Sequence, residues 1–298
     1  MSKSTVKYQL ILHIIVLVWG LTGILGDEII LSSSKIVFFR TGIAFVSLLL
    51  VGFFMKSIAR LSFKKLMYII FVGIIVGLHW FTFFHSIKVS AISIGVVCMS
   101  MTTLFVSILE PIIFKRKISV SEIVISVFIL IGIIIIFGFE VQYVKGILFG
   151  LTSAFLAALF SVLNGKLIKT TSPFIITKYE MLGAVLVCIV IMAFHGEIDN
   201  SLFEATNKDW VLLVILGIVC TTVAFLLSVW VMKFLSPFTV SISINMEPIY
   251  TIIIAVILNP LKEQMSVGFY AGGFVIISAI FTNAYLKKIK RQKIPISN

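Results

Sequence analysis

Charge is what this sequence has least of. Only 12% of its 298 residues are Asp, Glu, Lys or Arg, against 60% hydrophobic, and mean hydropathy is +1.19. That balance excludes an ordinary water-soluble domain. Aspartate is scarcer still: Asp27, Asp199 and Asp209 are the only ones, and each lies between apolar runs, so no aspartyl dyad can assemble at membrane depth. Cysteine is limited to Cys98, Cys188 and Cys220, all inside apolar runs and without a C-x-x-C partner. Neither a disulfide framework nor a metal site is indicated. There is no G-x-S-x-G elbow, no His with Asp at acyltransferase spacing and no P-loop. The reading is therefore no enzyme, no cofactor, no metal and no ATP used on this chain.

What remains is apolar sequence in lengths of about 20 residues, each enough to cross a ~30 Å hydrocarbon core as a helix. Lipid offers the backbone no hydrogen-bond partner, so such runs must be helical. Ten are expected, at 8–26, 34–55, 66–86, 91–113, 120–139, 146–168, 174–194, 210–232, 238–258 and 266–286. The first is too long for a signal peptide's apolar core and no A-x-A-like site follows it, so it is read as a retained span. The longest connection, "HGEIDNSLFEATNKD", is polar and acidic. The fold class is thus an all-α polytopic membrane protein of ten transmembrane helices.

Lys and Arg are not spread evenly over the two sides. With the N-terminus inside, 18 of the 24 fall on inner segments, in clusters such as Lys56, Arg60, Lys64, Lys65 and Lys115, Arg116, Lys117, with Lys287 to Lys293 at the end. Lys35, Lys88, Lys145, Lys208 and Lys262 lie outside, and Arg40 sits within a span. This bias puts both termini in the cytoplasm, and the expected location is a bacterial inner (plasma) membrane. The net charge of +12 then reports orientation and no nucleic-acid partner.

Ten spans divide into two sets of five, residues 1–143 and 144–298, and an odd number per set inverts the second copy. "VGIIVGLHWFTFFHSIKVSAIS" resembles "LGIVCTTVAFLLSVWVMKFLSPFT", with Ser-Ala answering Ser-Pro, and "FKRKIS" loosely matches "LKEQMS". The Glu-Pro pairs at Glu110 and Glu247 are not equivalent, lying nine residues before Ser119 and nineteen before Ser266.

Charges at membrane depth cost roughly 2.5–3.5 kcal/mol each on insertion scales and mark function by default. Glu110 sits near Lys115, Arg116 and Lys117, as a rim salt bridge would. Glu180 has Lys178 close in sequence. Arg40 is placed to snorkel or to pair with Asp27 or Glu28. Glu247 is about ten residues from either end of its span, beyond the reach of snorkelling. Thr239, Ser243, Glu247, Tyr250 and Thr251 recur at helical spacing and make one polar stripe. Ser100, Thr103, Ser107 and Glu110 make a similar one on the fourth span, so both helices are expected to face a central cavity. Pro248 lacks an N–H and is a candidate hinge. His79 and His85 do not share a helical face, so no metal is expected there, although His79 lies deep.

Length, ten spans, "WG" at Trp19 and Gly20, Arg40 entering the second span and the late "PIYTIIIAVILNPLKEQMSVGFYAGGFVIISAI" together resemble the EamA-like branch of the drug/metabolite transporter superfamily. One departure is Lys117, which stands about where the first half would carry the counterpart of Glu263. The resemblance implies a secondary carrier that exports or exchanges a small metabolite, an amino acid or related compound, by alternating access in the bilayer. Energy would come from protons or another gradient. Glu247 is the principal candidate for the transport path, followed by Asn245, Tyr250, His79 and Trp19, with Ser100, Thr103 and Ser243. A multispan channel or a non-transporting membrane scaffold is the alternative.

Overall fold

Where the chain turns back into the membrane, the residues at the turn explain why a helix starts there. Ser62, Ser172 and Ser236 each accept a hydrogen bond from the backbone N–H three residues on, and Pro173 and Pro237 follow two of them at the first helical position. Thr206 and Asp209 close a full capping box. The computed structural model describes residues 3–54, 61–261 and 263–292. Lys56, Arg60, Lys262 and Lys293, which enter the charge bias above, lie outside the described residues.

Ten helical segments follow one another. They are α1 (Lys3–Glu28), α2 (Ser33–Phe54), α3 (Phe63–Lys88), α4 (Ile92–Phe114), α5 (Val120–Phe139), α6 (Val144–Leu167), α7 (Pro173–Phe194), α8 (Asn207–Val231), α9 (Pro237–Leu258) and α10 (Val267–Gln292). Nine among the described residues are long and apolar enough to cross a membrane, and the Val267–Ala279 part of α10 forms a shorter apolar helix. The polar loop after α7 is tied to the start of α2. Glu197 accepts from Ser32 (3.1 Å) and from Ser34, and Lys35 Nζ donates to Ser201 Oγ (2.9 Å).

Three of the ten are not continuous α-helices. α4 is interrupted by a 3₁₀ turn at Met99–Met101. α9 is two pieces, Pro237–Ile244 and Glu247–Leu258, joined through Asn245 and Met246. α8 carries a π-helical stretch at Leu216–Val223, where Thr221 and Thr222 hydroxyls donate to the carbonyls of Leu216 and Gly217 five residues back. Irregular backbone survives at this depth only when it is buried in protein or lines a cavity.

Helix α3 packs between α6 and α7. Its crossing with α7 depends on bare backbone. A Cβ on Gly73 would overlap the carbonyl of Glu180, one on Gly183 would overlap the carbonyl of Ile70, and one on Gly77 would lie 2.8 Å from the Ala184 Cα. Small residues are what allow membrane helices to approach so closely. Gly73→Ala is expected to cost about 1–3 kcal/mol, the usual toll of overpacking a tight contact, seen as a lower unfolding temperature in detergent. Gly42→Ala, which meets no atom within 4 Å, should leave that temperature unchanged.

Candidate functional site: a charged cavity at the broken helices

The irregular helices meet around one cavity. Its volume is about 70 Å³, and its wall includes Trp19 and Thr22 of α1, Arg40 of α2, His79 and Trp80 of α3, Met99 and Thr102 of α4, Phe160 of α6, Phe225 of α8 and Glu247 of α9. That volume has room for roughly five waters. It suits a small solute rather than a drug-sized one.

Two ionisable side chains, one basic and one acidic, face the cavity. Arg40 is fully buried. Its Nε and Nη2 donate to Thr221 Oγ1 at 3.0 and 2.8 Å, and its guanidinium lies 4.4 Å from the centre of the Trp80 ring. Its Nη1 has no hydrogen-bond partner among the described residues. The expected choice between snorkelling and pairing with Asp27 or Glu28 is therefore replaced by a third arrangement: the π turn of α8 presents Thr221 to the guanidinium and an aromatic face covers it. Glu247 opens the second piece of α9, where the helix dipole favours a carboxylate. Its side chain makes no hydrogen bond or ion pair with any described residue, and it is not within 4.0 Å of Arg40. His79 Nδ1 lies 2.8 Å from Ser153 Oγ, and its ring is flanked by Phe160 and Phe83. No metal-binding group of three His, Cys, Asp or Glu occurs among the described residues.

Helical spacing treated α9 as unbroken, and the break alters which residues share a face. The cavity wall on α9 is Val240, Ile244 and Glu247. Ser243 Oγ donates to the carbonyl of Thr239 on its own helix (3.1 Å). Thr251 Oγ1 donates to the Gly20 carbonyl (2.9 Å), and Tyr250 packs beside the same glycine. Asn245 bridges the two broken helices instead, its Nδ2 donating to Thr103 Oγ1 at 2.9 Å. Ser100 is buried at the 3₁₀ turn of α4, and its hydroxyl has no partner among the described residues. Pro248 occupies the first turn of the second piece, where its missing N–H breaks no helical bond. The "WG" pair also has a use. Trp19 Nε1 donates to the Cys220 carbonyl (3.2 Å), joining α1 to α8, while Gly20 lets α9 come close.

Two more carboxylates tie helix starts on opposite faces of the bundle. Glu110, near the end of α4, accepts from the N–H of Phe238 at the start of α9 (2.9 Å) and is 3.4 Å from Arg116 Nε, which is bound in turn to Glu122 (2.7 Å). Glu263, just after α9, accepts from the N–H groups of Ile92 and Ser93 at the start of α4, both at 3.0 Å. Aligning Ser90-Ala91 with Ser236-Pro237 makes Ile92 and Phe238 equivalent. Each of these helices thus caps the other's start, but from different sequence positions. Lys117 leaves no acid at the expected place in the first half, and Glu110 supplies the oxygen from within the helix.

The EamA-like transporter family model matches the chain twice, over residues 7–138 and 144–285. This chain belongs to the EamA-like transporter family. "Uncharacterized transporter YxxF" of Bacillus subtilis (strain 168) is 22% identical to it over 301 residues, covering 98% of this chain and 92% of the relative. An "Uncharacterized transporter" of Archaeoglobus fulgidus is 27% identical over 205 residues, 67% of this chain and 68% of its own length. A solved crystal structure, described only as that of a protein, superposes with a TM-score of 0.68 at 15% identity, over 94% of this chain and 98% of that one, a likeness of fold alone. The protein is an integral, multi-pass membrane transporter, and membership in the family implies a small-molecule substrate.

In this EamA-like transporter Arg40 depends on Thr221. Thr221→Val removes the acceptor of two guanidinium hydrogen bonds and should cost about 1–3 kcal/mol, measured as a fall in unfolding temperature. Thr152→Val, on an exposed site bonded only to its own helix, serves as the unchanged control.

Proposed function

We propose that this transporter carries an amino acid or a related small metabolite by alternating access, exporting or exchanging it across a bacterial plasma membrane with both termini in the cytoplasm. One observation supports this reading above the others: Arg40 and Glu247 face the same cavity without pairing with each other. A guanidinium with a free N–H suits a substrate carboxylate, and an unpartnered carboxylate suits an ammonium. The aromatic wall gives the apolar part of a small zwitterion somewhere to lie. His79 and Trp19 complete the wall, and Asn245 holds the α4 and α9 breaks together behind it.

The chain divides at residue 143 into two inverted halves that rock about this cavity, and α9 bends at Asn245–Met246 beside Pro248. Glu110 and Glu263 are the latches. Glu110 closes the N-terminal, cytoplasmic face and Glu263 the opposite one, each by holding the start of a broken helix from the other half. Opening one face requires one latch to release while the other holds.

Uptake and counterflow in proteoliposomes across a panel of amino acids and related metabolites tests the first part. Exchange of at least one member is expected, reduced on the order of 10- to 100-fold in Glu247→Gln, since a hydrogen bond to a charge is worth about 1.5–3 kcal/mol. Selective exchange that the variant shares in full would remove Glu247 from the path. Passive, non-saturating flux would favour the channel, and no flux for any solute the scaffold. The latches are read separately, with Cys98, Cys188 and Cys220 replaced and Val240→Cys as the reporter on the cavity wall. Glu110→Gln should speed labelling by an impermeant thiol reagent about tenfold from the cytoplasmic side only. Glu263→Gln should do so from the other side only. Unchanged rates in both would discard the latch assignment.

A further inference from the structure

Away from the cavity, about two turns into α7, Glu180 is fully buried. The close approach of α3 at Gly73 and Gly183 covers its backbone. Its carboxyl meets one hydrogen-bond donor, Asn164 Nδ2 of α6, at 3.3 Å to Oε2. Two oxygens of this pair, Glu180 Oε1 and Asn164 Oδ1, have no hydrogen-bond partner among the described residues. Two acceptors are thus buried on one pair of side chains with a donor for neither.

No nearby cation resolves this. On α7 itself, Lys178 lies over the rings of Tyr179 (4.6 Å) and Phe174 (6.0 Å) rather than beside Glu180. From α2, Arg40 is held by Thr221 and Lys35 by Ser201. From α3, His79 is held by Ser153 and Lys65 by Thr170. Tyr68 and Lys64 of α3, Cys220 and Asp209 of α8 and Lys166 of α6 form no hydrogen bond or ion pair with Glu180. An ionised carboxylate left in apolar surroundings with a single long hydrogen bond is far too costly to persist.

We propose that Glu180 and Asn164 form a proton-binding site, in which a proton on Oε1 of Glu180 is donated to Oδ1 of Asn164 while Asn164 Nδ2 donates to Oε2. One proton gives both orphaned oxygens a partner and closes an acid–amide ring, neutral throughout. Ser161 connects the site to the cavity: it lies one turn before Asn164 on α6, lines the cavity wall, and its hydroxyl is buried without a partner. A proton therefore has a polar path of a single helical turn between the cavity and Glu180. The inference extends the transporter reading by naming the ion a gradient would supply, and it sets the proton apart from Glu247, which is left to hold substrate.

The test requires no substrate, so it stands whether or not the panel above yields one. Infrared spectra are taken of the full chain in vesicles of phosphatidylethanolamine and phosphatidylglycerol at neutral pH, with and without sodium. The expected result is a protonated-carboxyl C=O band in the wild type, weakened by one carboxyl in Glu180→Gln and indifferent to sodium. An equal band in wild type and variant would mean that Glu180 is ionised and would overturn the proposal. So would a band that appears only when sodium is withdrawn, which would make the site a sodium site. Asn164→Leu gives an independent check that leaves Glu180 in place. The Glu180 band should move to higher frequency as the carboxyl loses its partner, and an unmoved band would overturn the pairing.

Discussion

A broken helix in hydrocarbon must find partners for every backbone group it frees, and this requirement shapes most of what is specific about the protein. Unbroken spans satisfy themselves. α4, α8 and α9 are interrupted, and polar side chains at or beside the interruptions and at the helix starts are the ones that join the two halves. Asn245 bonds Thr103 at the paired breaks, Glu110 and Glu263 cap the starts of α9 and α4, and Thr221 in the π stretch holds Arg40. The cavity exists where it does because irregular backbone at this depth has to be enclosed or wetted. Structural necessity and the proposed transport path therefore coincide.

Much of the architecture can be read in the sequence because the bilayer enforces it. A run of about 20 apolar residues has few alternatives to a helix, and the ten expected spans match the ten helical segments to within a few residues at most ends. Pro248 beside Glu247 marks α9 as irregular, although the break itself falls just before them, at Asn245–Met246. The π stretch of α8 has no such mark. "LGIVCTTV" carries no proline and no composition that separates it from the helix on either side, and it packs closely on α2, where a Cβ on Gly217 would lie 3.0 Å from the Arg40 carbonyl.

In the candidate site the buried ionisable residues stood out in the sequence and their partners did not. Arg40, Glu110, Glu180 and Glu247 stand out because ionisable residues are rare at depth, but their neighbours come from distant segments. Thr221 lies 181 residues from Arg40 and Phe238 lies 128 from Glu110. Local sequence offered nearer candidates, Asp27 or Glu28 for Arg40 and Lys178 for Glu180, and the fold brings neither contact about. The same limit applied to the polar stripe on α9. Counting by three and four holds only along continuous helix, so the break at Asn245–Met246 turned Tyr250 and Thr251 toward α1 and left Val240, Ile244 and Glu247 on the cavity.

The two halves share a requirement more closely than they share residues. Ala91 cannot cap α4, so its first N–H groups need an acceptor from elsewhere, and Glu263 provides one. Ser236 Oγ accepts from the N–H of Thr239 at the start of α9, and Glu110 accepts from that of Phe238. An inverted repeat that diverges in sequence can lose an acid at one position and regain its oxygen from about two turns away, provided the oxygen still reaches the same N–H. Lys117 in place of an acid then marks a substitution within the repeat rather than a failure of it. The quantity held constant between the halves is a satisfied helix start, because in lipid an unsatisfied one costs several kcal/mol.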